Sequence, residues 1–132
     1  MNQAALSQYQ SISVQSGITD ATPHQMVAML FDGALDRVSS AKGSIARNEA
    51  GRKGELLGSA IAIVDGIRAS LDYEKGGEIA ANLGSLYDYI ERRLLEANVK
   101  SDVAILDEVS SLLKELKAGW ESIPHDIRKA SL

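Results

Sequence analysis

Apolar residues recur at three- and four-residue spacing in four stretches of this chain, and short polar turns separate the stretches. This is the period of an α-helix that has one apolar face. The clearest helix start is TPHQ, where Thr22 can cap the helix, Pro23 suits the first position and Gln25 completes a capping box. The alternating pattern of a β-strand and internal repeats are both absent from the sequence. The pattern therefore predicts an all-α protein.

Four helices joined by short turns favour an antiparallel up-down four-helix bundle. Adjacent glycines permit positive φ, so Gly76 and Gly77 are predicted to end the second helix. Ser101 or Asp102 is predicted to cap the fourth helix. The predicted domains are a mobile N-terminal segment over 1–21, the bundle over 22–121 and a C-terminal tail over 122–132. The predicted helices end near Arg47, Leu71, Asn98 and Glu121, and the second to fourth begin near Arg52, Glu78 and Val103.

Composition and charge exclude several classes of function. The formal net charge is −4, which argues against binding nucleic acid, because that affinity depends on Lys and Arg neutralising phosphates. The chain has no cysteine, so a disulfide, a thiol nucleophile and Cys-ligated zinc are impossible. Its start, MNQAALSQYQSISVQSG, lacks the basic and apolar regions of a secretory signal, and no apolar run approaches the roughly 20 residues that cross a bilayer. We therefore expect a cytoplasmic protein without membrane insertion.

The sequence contains no motif that indicates an enzyme. The two histidines, His24 and His125, lie at the edges of the helical region, and neither belongs to the Glu-x-x-His pairs of di-iron bundles. No glycine loop suited to phosphate is present, because KGGE is too short for one. We expect no catalytic residue, metal or cofactor, and we expect His24 to be an ordinary surface residue. The charged residues Glu91, Arg92, Arg93, Glu96, Asp107 and Glu108 are predicted to form solvated helix faces.

Glycines stand at four positions where the pattern predicts helix interior. Each costs about 1 kcal/mol relative to Ala, so some other interaction must offset them. One interpretation is close approach of two helices, which Gly33 suits best because it lies beside the apolar stripe of the first helix. The other is a shallow groove for a partner, which Gly84 suits better. The remaining two helical glycines are Gly58 and Gly66.

The second, third and fourth helices carry wider apolar stripes than a single core face requires. Ile61, Val64 and Leu71 lie on one line of the second helix, and tyrosines broaden the stripe around the third. Surplus apolar surface marks an interaction site, whereas tyrosines also commonly lie at the boundary of a core. The N-terminal segment contains spaced apolar residues too, which fits either a disordered tail or a segment that docks weakly on apolar surface.

The stretch LDYEKGGEIAANLGSLYDYIERRLLEAN closely resembles the hallmark of the flagellin export chaperones, the FliS family. ATPHQMVAMLFDGAL resembles the family's Pro-led first helix, and VAILDEVSSLLKELKAGW resembles its closing helix. Tyr9 and Gln10, followed by Val14, resemble its N-terminal element. The resemblance covers about Tyr9 to Trp120, which is nearly the whole chain.

The resemblance implies a cytoplasmic chaperone without catalytic activity. Members of the family bind the disordered C-terminal segment of flagellin, prevent premature polymerisation and aid its delivery to the flagellar type III export apparatus. The resemblance also implies the export-gate component FlhA as a partner and, in some bacteria, regulators such as FliW or FlgM. An N-terminal segment that covers part of the binding surface would give Leu6, Tyr9 and Ile12 a role.

These arguments together predict a partner-binding surface. The assignment of Tyr73, Gly77, Ile79 and Asn82 rests on the family motif, and the alternative is that they only shape the turn. A rival interpretation is a structural or regulatory bundle that uses the same surface for homodimerisation. The predicted partner-binding residues are Tyr9, Gln10, Ile12, Ile61, Val64, Leu71, Tyr73, Gly77, Ile79, Asn82, Leu83, Leu86, Tyr87 and Ile90.

Overall fold

The computed structural model describes residues 21–122, which form four α-helices and no β-strand. Most of the predicted N-terminal segment and C-terminal tail, residues 1–20 and 123–132, lies outside the described range. Each helix packs against two others, in the cyclic order α1–α2–α3–α4–α1, and the short turns make successive helices antiparallel. The predicted all-α four-helix bundle is confirmed. The helices are α1 (Pro23–Ala46), α2 (Ala50–Ala69), α3 (Tyr73–Lys100) and α4 (Val103–Glu121).

The helix starts that the sequence predicts are formed by side-chain caps. The Gln25 backbone N–H donates to Thr22 Oγ1 at 3.1 Å, and the Thr22 N–H donates to Gln25 Oε1 at 2.9 Å, which completes the capping box. Asp102 caps α4 by accepting a 2.9 Å hydrogen bond from the Ala104 N–H. Ser101, which follows the last residue of α3, is left-handed with φ 51° and ends that helix.

The junction between α2 and α3 differs from the prediction. Helix α2 ends at Ala69, before Leu71 and well before the glycine pair. Asp72 then caps a new helical turn, accepting a 3.0 Å hydrogen bond from the Lys75 N–H. Gly77, with φ 52° and ψ −126°, interrupts α3 after this turn. The glycine pair therefore kinks the start of α3 rather than ending α2, because the Asp72 cap starts a helical turn that the sequence argument missed.

The core is aliphatic and lies along the whole bundle axis. Three small residues on facing positions of α1 and α2, Ala34, Ala41 and Ala60, are fully buried, which lets these two helices approach closely. Gly33 and Gly66 are also buried, as the interpretation of close helix approach requires, whereas Gly58 is exposed. The largest fully buried side chains are Phe31, Leu57, Ile63, Ile90, Leu94, Leu106 and Leu113.

The prediction that His24 is an ordinary surface residue is wrong. Its side chain is buried, and its ring stacks on Trp120 with centroids 4.6 Å apart and planes 9° apart. His24 Nε2–H donates to the Trp120 carbonyl at 2.7 Å, and Trp120 Nε1–H donates to the His24 carbonyl at 2.8 Å. The up-down topology returns the end of α4 to the start of α1, a contact between residues far apart in sequence that a first-turn position does not reveal.

The charged residues of α3 and α4 are partly exposed, but they are also paired across the two helices. Arg93 donates to Glu108 at 2.8 Å and to Glu96 at 2.6 Å, and the Tyr89 hydroxyl donates to Glu108 at 2.8 Å. These bonds lower the pKa of Glu108, chiefly through Arg93 and then through Tyr89. The predicted solvated face therefore also ties α3 to α4.

Candidate functional site

Helix α2 stops short of the first half of α3. Arg68, one residue before the end of α2, lies 3.5 Å from Asp88 (Nη1 to Oδ1) and 3.5 Å from Glu91 (Nε to Oε2). The end of α2 is therefore level with Asp88–Glu91. The part of α3 over 78–87 extends beyond it by about 15 Å, at 1.5 Å per residue.

Helices α1 and α4 do reach the level of this extension. The His24–Trp120 pair joins the start of α1 to the end of α4, and one turn inward Lys117 Nζ lies 2.6 Å from Asp32 Oδ1. One of the four corners of the bundle thus lacks its helix at this end. We call this end the open end and define it as the start of α1, the end of α4 and residues 78–87 of α3.

The apolar residues of α3 that point toward the bundle axis become exposed at the open end. Ile90 and Leu94, on the covered part of α3, are fully buried. Leu86, one turn before Ile90, and Leu83, two turns before it, are only partly buried against the core. Ile79, on the same line of the helix, is 72% exposed. All five lie on one face of the helix. On the neighbouring line, Ala80, Gly84 and Tyr87 stay buried over the same stretch, so the exposure at the open end is confined to the line of Ile79.

The turn that precedes Gly77 lies along the side of α3 that would face α2. A Cβ atom placed on Gly84 would be 2.5 Å from the Tyr73 hydroxyl oxygen, so the Tyr73 side chain rests directly on that glycine. A Cβ atom on Gly76 would be 2.7 Å from Ala80 Cβ. Both glycines therefore allow the turn to lie close against α3, although the Tyr73 side chain remains 52% exposed.

Arg68 and its carboxylate partners form the border between the open end and the covered bundle. Besides Asp88 and Glu91, the Arg68 guanidinium contacts Asp65 at 2.5 Å. The Glu91 side chain is only 14% exposed, so the prediction of a solvated residue is wrong for Glu91. Burial raises the pKa of Glu91, and the Arg68 charge partly opposes that rise. The cluster fixes α2 against α3 at the point where the open end begins.

Several predicted partner-binding residues come together at the open end, and others do not. Val64 and Ile90 are buried in the bundle core. Tyr87, although it is the last residue of the open end, is buried there too: its ring lies 6.4 Å from that of Phe31, and burial raises the pKa of Tyr87 to about 12. Ile61 is partly buried on α2, two turns before Arg68. Tyr9, Gln10 and Ile12 lie outside the described residues. The predicted residues at the open end or on the adjoining turn are Leu71, Tyr73, Gly77, Ile79, Asn82, Leu83 and Leu86.

Two contributors to the open end were missed from the sequence, the early end of α2 and the Arg68 cluster. The Asp72 cap was a readable signal for the first, because Asp before a helical turn is a common N-cap. The pairing of Arg68 with Asp88 and Glu91 depends on the register between two helices, which local pattern does not give. The surface of the open end includes the apolar side chains of Ile79, Leu83 and Leu86, so it can pack against an apolar partner.

A second concavity, of about 330 Å³, lies between α1 and α2 and is polar. Arg37 lies in it and donates to Ser59 at 2.9 Å and to the Gly33 carbonyl at 3.2 Å. Its two arginines stand among carboxylates, so it has no dominant charge. Over residues 21–122, no cluster of His, Asp or Glu suited to a metal ion occurs, and no helix is long and apolar enough to span a bilayer. The full lining is Asp36, Arg37, Ser40, Arg52, Glu55, Leu56 and Ser59.

Comparison with known proteins identifies the family. The model of the family described as flagellar protein FliS matches residues 5–126, so the chain belongs to the FliS family. It is 46% identical over 121 residues to the flagellar secretion chaperone FliSB of Pseudomonas aeruginosa, covering 92% of this chain and 96% of that protein. It is 46% identical over 116 residues to the flagellar secretion chaperone FliS of Salmonella typhimurium, covering 87% of this chain and 86% of that protein.

More distant relatives agree with this membership. The flagellar secretion chaperone FliS of Bacillus subtilis is 31% identical over 115 residues, covering 87% of this chain and 85% of that protein. The resemblance read from the sequence is confirmed. The relatives are named as chaperones, which supports the prediction that the chain is not an enzyme.

Proposed function

We propose that this protein is a cytoplasmic export chaperone for flagellin. It binds the disordered C-terminal segment of flagellin, prevents premature polymerisation and aids delivery to the flagellar type III export apparatus. Two findings support this proposal: relatives named as flagellar secretion chaperones cover most of the chain, and the open end leaves apolar surface without a helix to cover it.

The observation that carries the proposal is the gradient in exposure along α3. Ile79 is 72% exposed on the same helix face where Ile90 is fully buried. An apolar face that is not covered by its own bundle is a natural place for an amphipathic segment of another chain to dock. A client helix at the open end would pack along the line of Ile79, Leu83 and Leu86.

The energetics require a contact larger than the open end alone. Ordering a disordered client costs about 1–2 kcal/mol of backbone entropy per residue. Apolar burial returns about 25 cal/mol per Å², so a long segment needs on the order of 1,000 Å² of buried surface. We therefore propose that the client starts at the open end and continues along grooves between helices. The N-terminal segment, through Tyr9, Gln10 and Ile12, would compete for the same surface when no client is bound.

Delivery requires further partners. Because family members are expected to meet the export gate, we propose FlhA as one partner and a regulator such as FliW or FlgM as another. Pull-down of the tagged full-length chain from its source cell, with and without excess flagellin peptide, tests which of them bind and whether they share the client's surface.

Calorimetry with a flagellin C-terminal peptide tests the main proposal. Submicromolar binding with a negative heat-capacity change is expected, because apolar surface is buried. Ile79→Ser should weaken binding about tenfold or more, since burying such a side chain is worth about 1.5–3 kcal/mol. Val99→Ser is the matched control, because Val99 is 85% exposed on α3 but far from the open end. Absence of binding to the unaltered chain, or equal loss in both variants, would contradict the proposal.

Sedimentation at several concentrations addresses the rival function, a structural or regulatory bundle that homodimerises through the same surface. A tight dimer that excludes the peptide would favour that rival. A monomer that binds the peptide would favour the chaperone.

A further inference from the structure

We propose that Tyr73 is a latch, which closes over Gly84 in the free chain and opens about Gly77 to admit the client. This inference rests on the proposed function for its client, but the closing movement itself does not depend on it. We define the latch as the capped turn from Asp72 to Gly76 together with the Tyr73 side chain that it carries.

The first observation is the fit between Tyr73 and a glycine. A Cβ atom on Gly84 would be 2.5 Å from the Tyr73 hydroxyl oxygen but 3.4 Å and 3.5 Å from ring carbons Cζ and Cε1. Only the hydroxyl therefore requires a glycine at this position. In the closed latch the hydroxyl occupies the space that a methyl group would otherwise fill, and Gly84 is buried beneath the ring.

The second observation is that the turn is bonded to itself and joins the rest of α3 through a glycine. Asp72 accepts hydrogen bonds from the Lys75 N–H through its side chain, at 3.0 Å, and from the Gly76 N–H through its carbonyl, at 2.8 Å. Both bonds lie within the turn, so they are kept when the turn moves as a unit. On one side, the Ser70 and Leu71 N–H groups donate back to α2 at 3.1 Å and 3.2 Å, so that side is anchored. On the other side is Gly77, whose φ of 52° only glycine adopts readily, and the turn would move about this residue.

The third observation is the position of the latch. It lies in the corner of the bundle that α2 does not reach, and Tyr73 is still 52% exposed when closed. A client helix in that corner would meet the Tyr73 ring before it met α3. Closure therefore lowers the fraction of molecules that can accept the client, and the apparent affinity falls by that fraction. Opening supplies an aromatic side chain that can then pack on the client.

Three variants test the latch without any client. Gly84→Ala should force the hydroxyl away and open the latch. The double variant Tyr73→Phe with Gly84→Ala should close it again, because the remaining ring carbons lie at ordinary contact distance from the added methyl. Gly58→Ala is the matched control, since it also places Ala at a helical glycine but meets nothing within 4 Å.

Nuclear Overhauser effects between the ring at position 73 and residue 84 report closure. They should be present in the unaltered chain, lost in Gly84→Ala, restored in the double variant and unaffected by Gly58→Ala. Retention of the effect in Gly84→Ala, or its loss in the double variant, would overturn the latch. Circular dichroism confirms that each variant is folded.

Stopped-flow association with the flagellin C-terminal peptide tests the role of the latch. If the open form is about one-tenth populated, Gly84→Ala should associate up to about tenfold faster, and the double variant should return to the original rate. Equal slowing of both variants would show that the methyl blocks the client, and it would overturn the gating role. Absence of binding by every form would defeat the proposed function, while the ring contacts would still decide whether the latch exists.

Discussion

The stacked pair His24–Trp120 allows a prediction of stability to be worked from the structure. His24→Ala removes one hydrogen bond to the Trp120 carbonyl and the ring stacking at 4.6 Å. A net hydrogen bond is worth about 1 kcal/mol and an aromatic pair about 0.5–1.5 kcal/mol. With some loss of burial, we expect the free energy of unfolding to fall by about 2–3 kcal/mol.

Urea denaturation followed by circular dichroism measures this change. Trp120→Phe keeps an aromatic ring but removes the Nε1–H bond to the His24 carbonyl and one ring of the indole, so it should cost about 1–2 kcal/mol. Ser39→Ala, at an exposed position of α1, is the control and should stay within about 0.5 kcal/mol of the unaltered chain. If His24→Ala behaves like Ser39→Ala, the pair does not hold α1 to α4, and the reasoning is refuted.

Three further predictions concern other parts of the chain. Deletion of residues 1–17 should speed or tighten binding of a flagellin C-terminal peptide if the segment competes for the open end, and weaken it if Tyr9 contacts the client; unchanged binding would mean that neither holds. Gly58→Ala should raise the free energy of unfolding by up to about 1 kcal/mol, because alanine has the higher helix propensity and its Cβ atom would meet nothing within 4 Å. A lower free energy of unfolding in urea denaturation would contradict this. Glu108 has a lowered pKa in the folded chain, mainly through Arg93, so its stabilising contribution is present above the unfolded pKa near 4.5 and is lost as pH falls through the folded pKa. Urea midpoints measured between pH 7 and pH 3 should therefore fall less for Glu108→Gln than for the unaltered chain, and an identical fall would exclude this contribution.

The starts of α1 and α4 could be predicted because their signals are local. Thr22, Pro23 and Gln25 lie next to one another in sequence, and together they form the cap that the structure contains. Asp102 caps α4 in the same way. The fold class followed from the helical periodicity and the short turns, which need no knowledge of how the helices pack.

The parts that could not be predicted depend on register between helices. Nothing near His24 in sequence indicates Trp120, and nothing near Arg68 indicates that Asp88 and Glu91 stand opposite it. The same limit explains why periodicity placed Ile79 and Ile90 on one line but did not reveal which of them the bundle covers. The elements that pack over each level of α3 decide that difference, and this packing is a property of the assembled bundle.

Because α2 is short, local stability differs between the two ends of the bundle. Residues 78–87 of α3 pack against fewer helices than residues 88–100, so their amide hydrogens should exchange with solvent at lower protection. Thermal fluctuations would loosen the chain from the end that carries Ile79, while the far half, with Leu94 and Leu106 fully enclosed, stays folded. The open end can therefore unfold locally while the rest of the bundle stays folded.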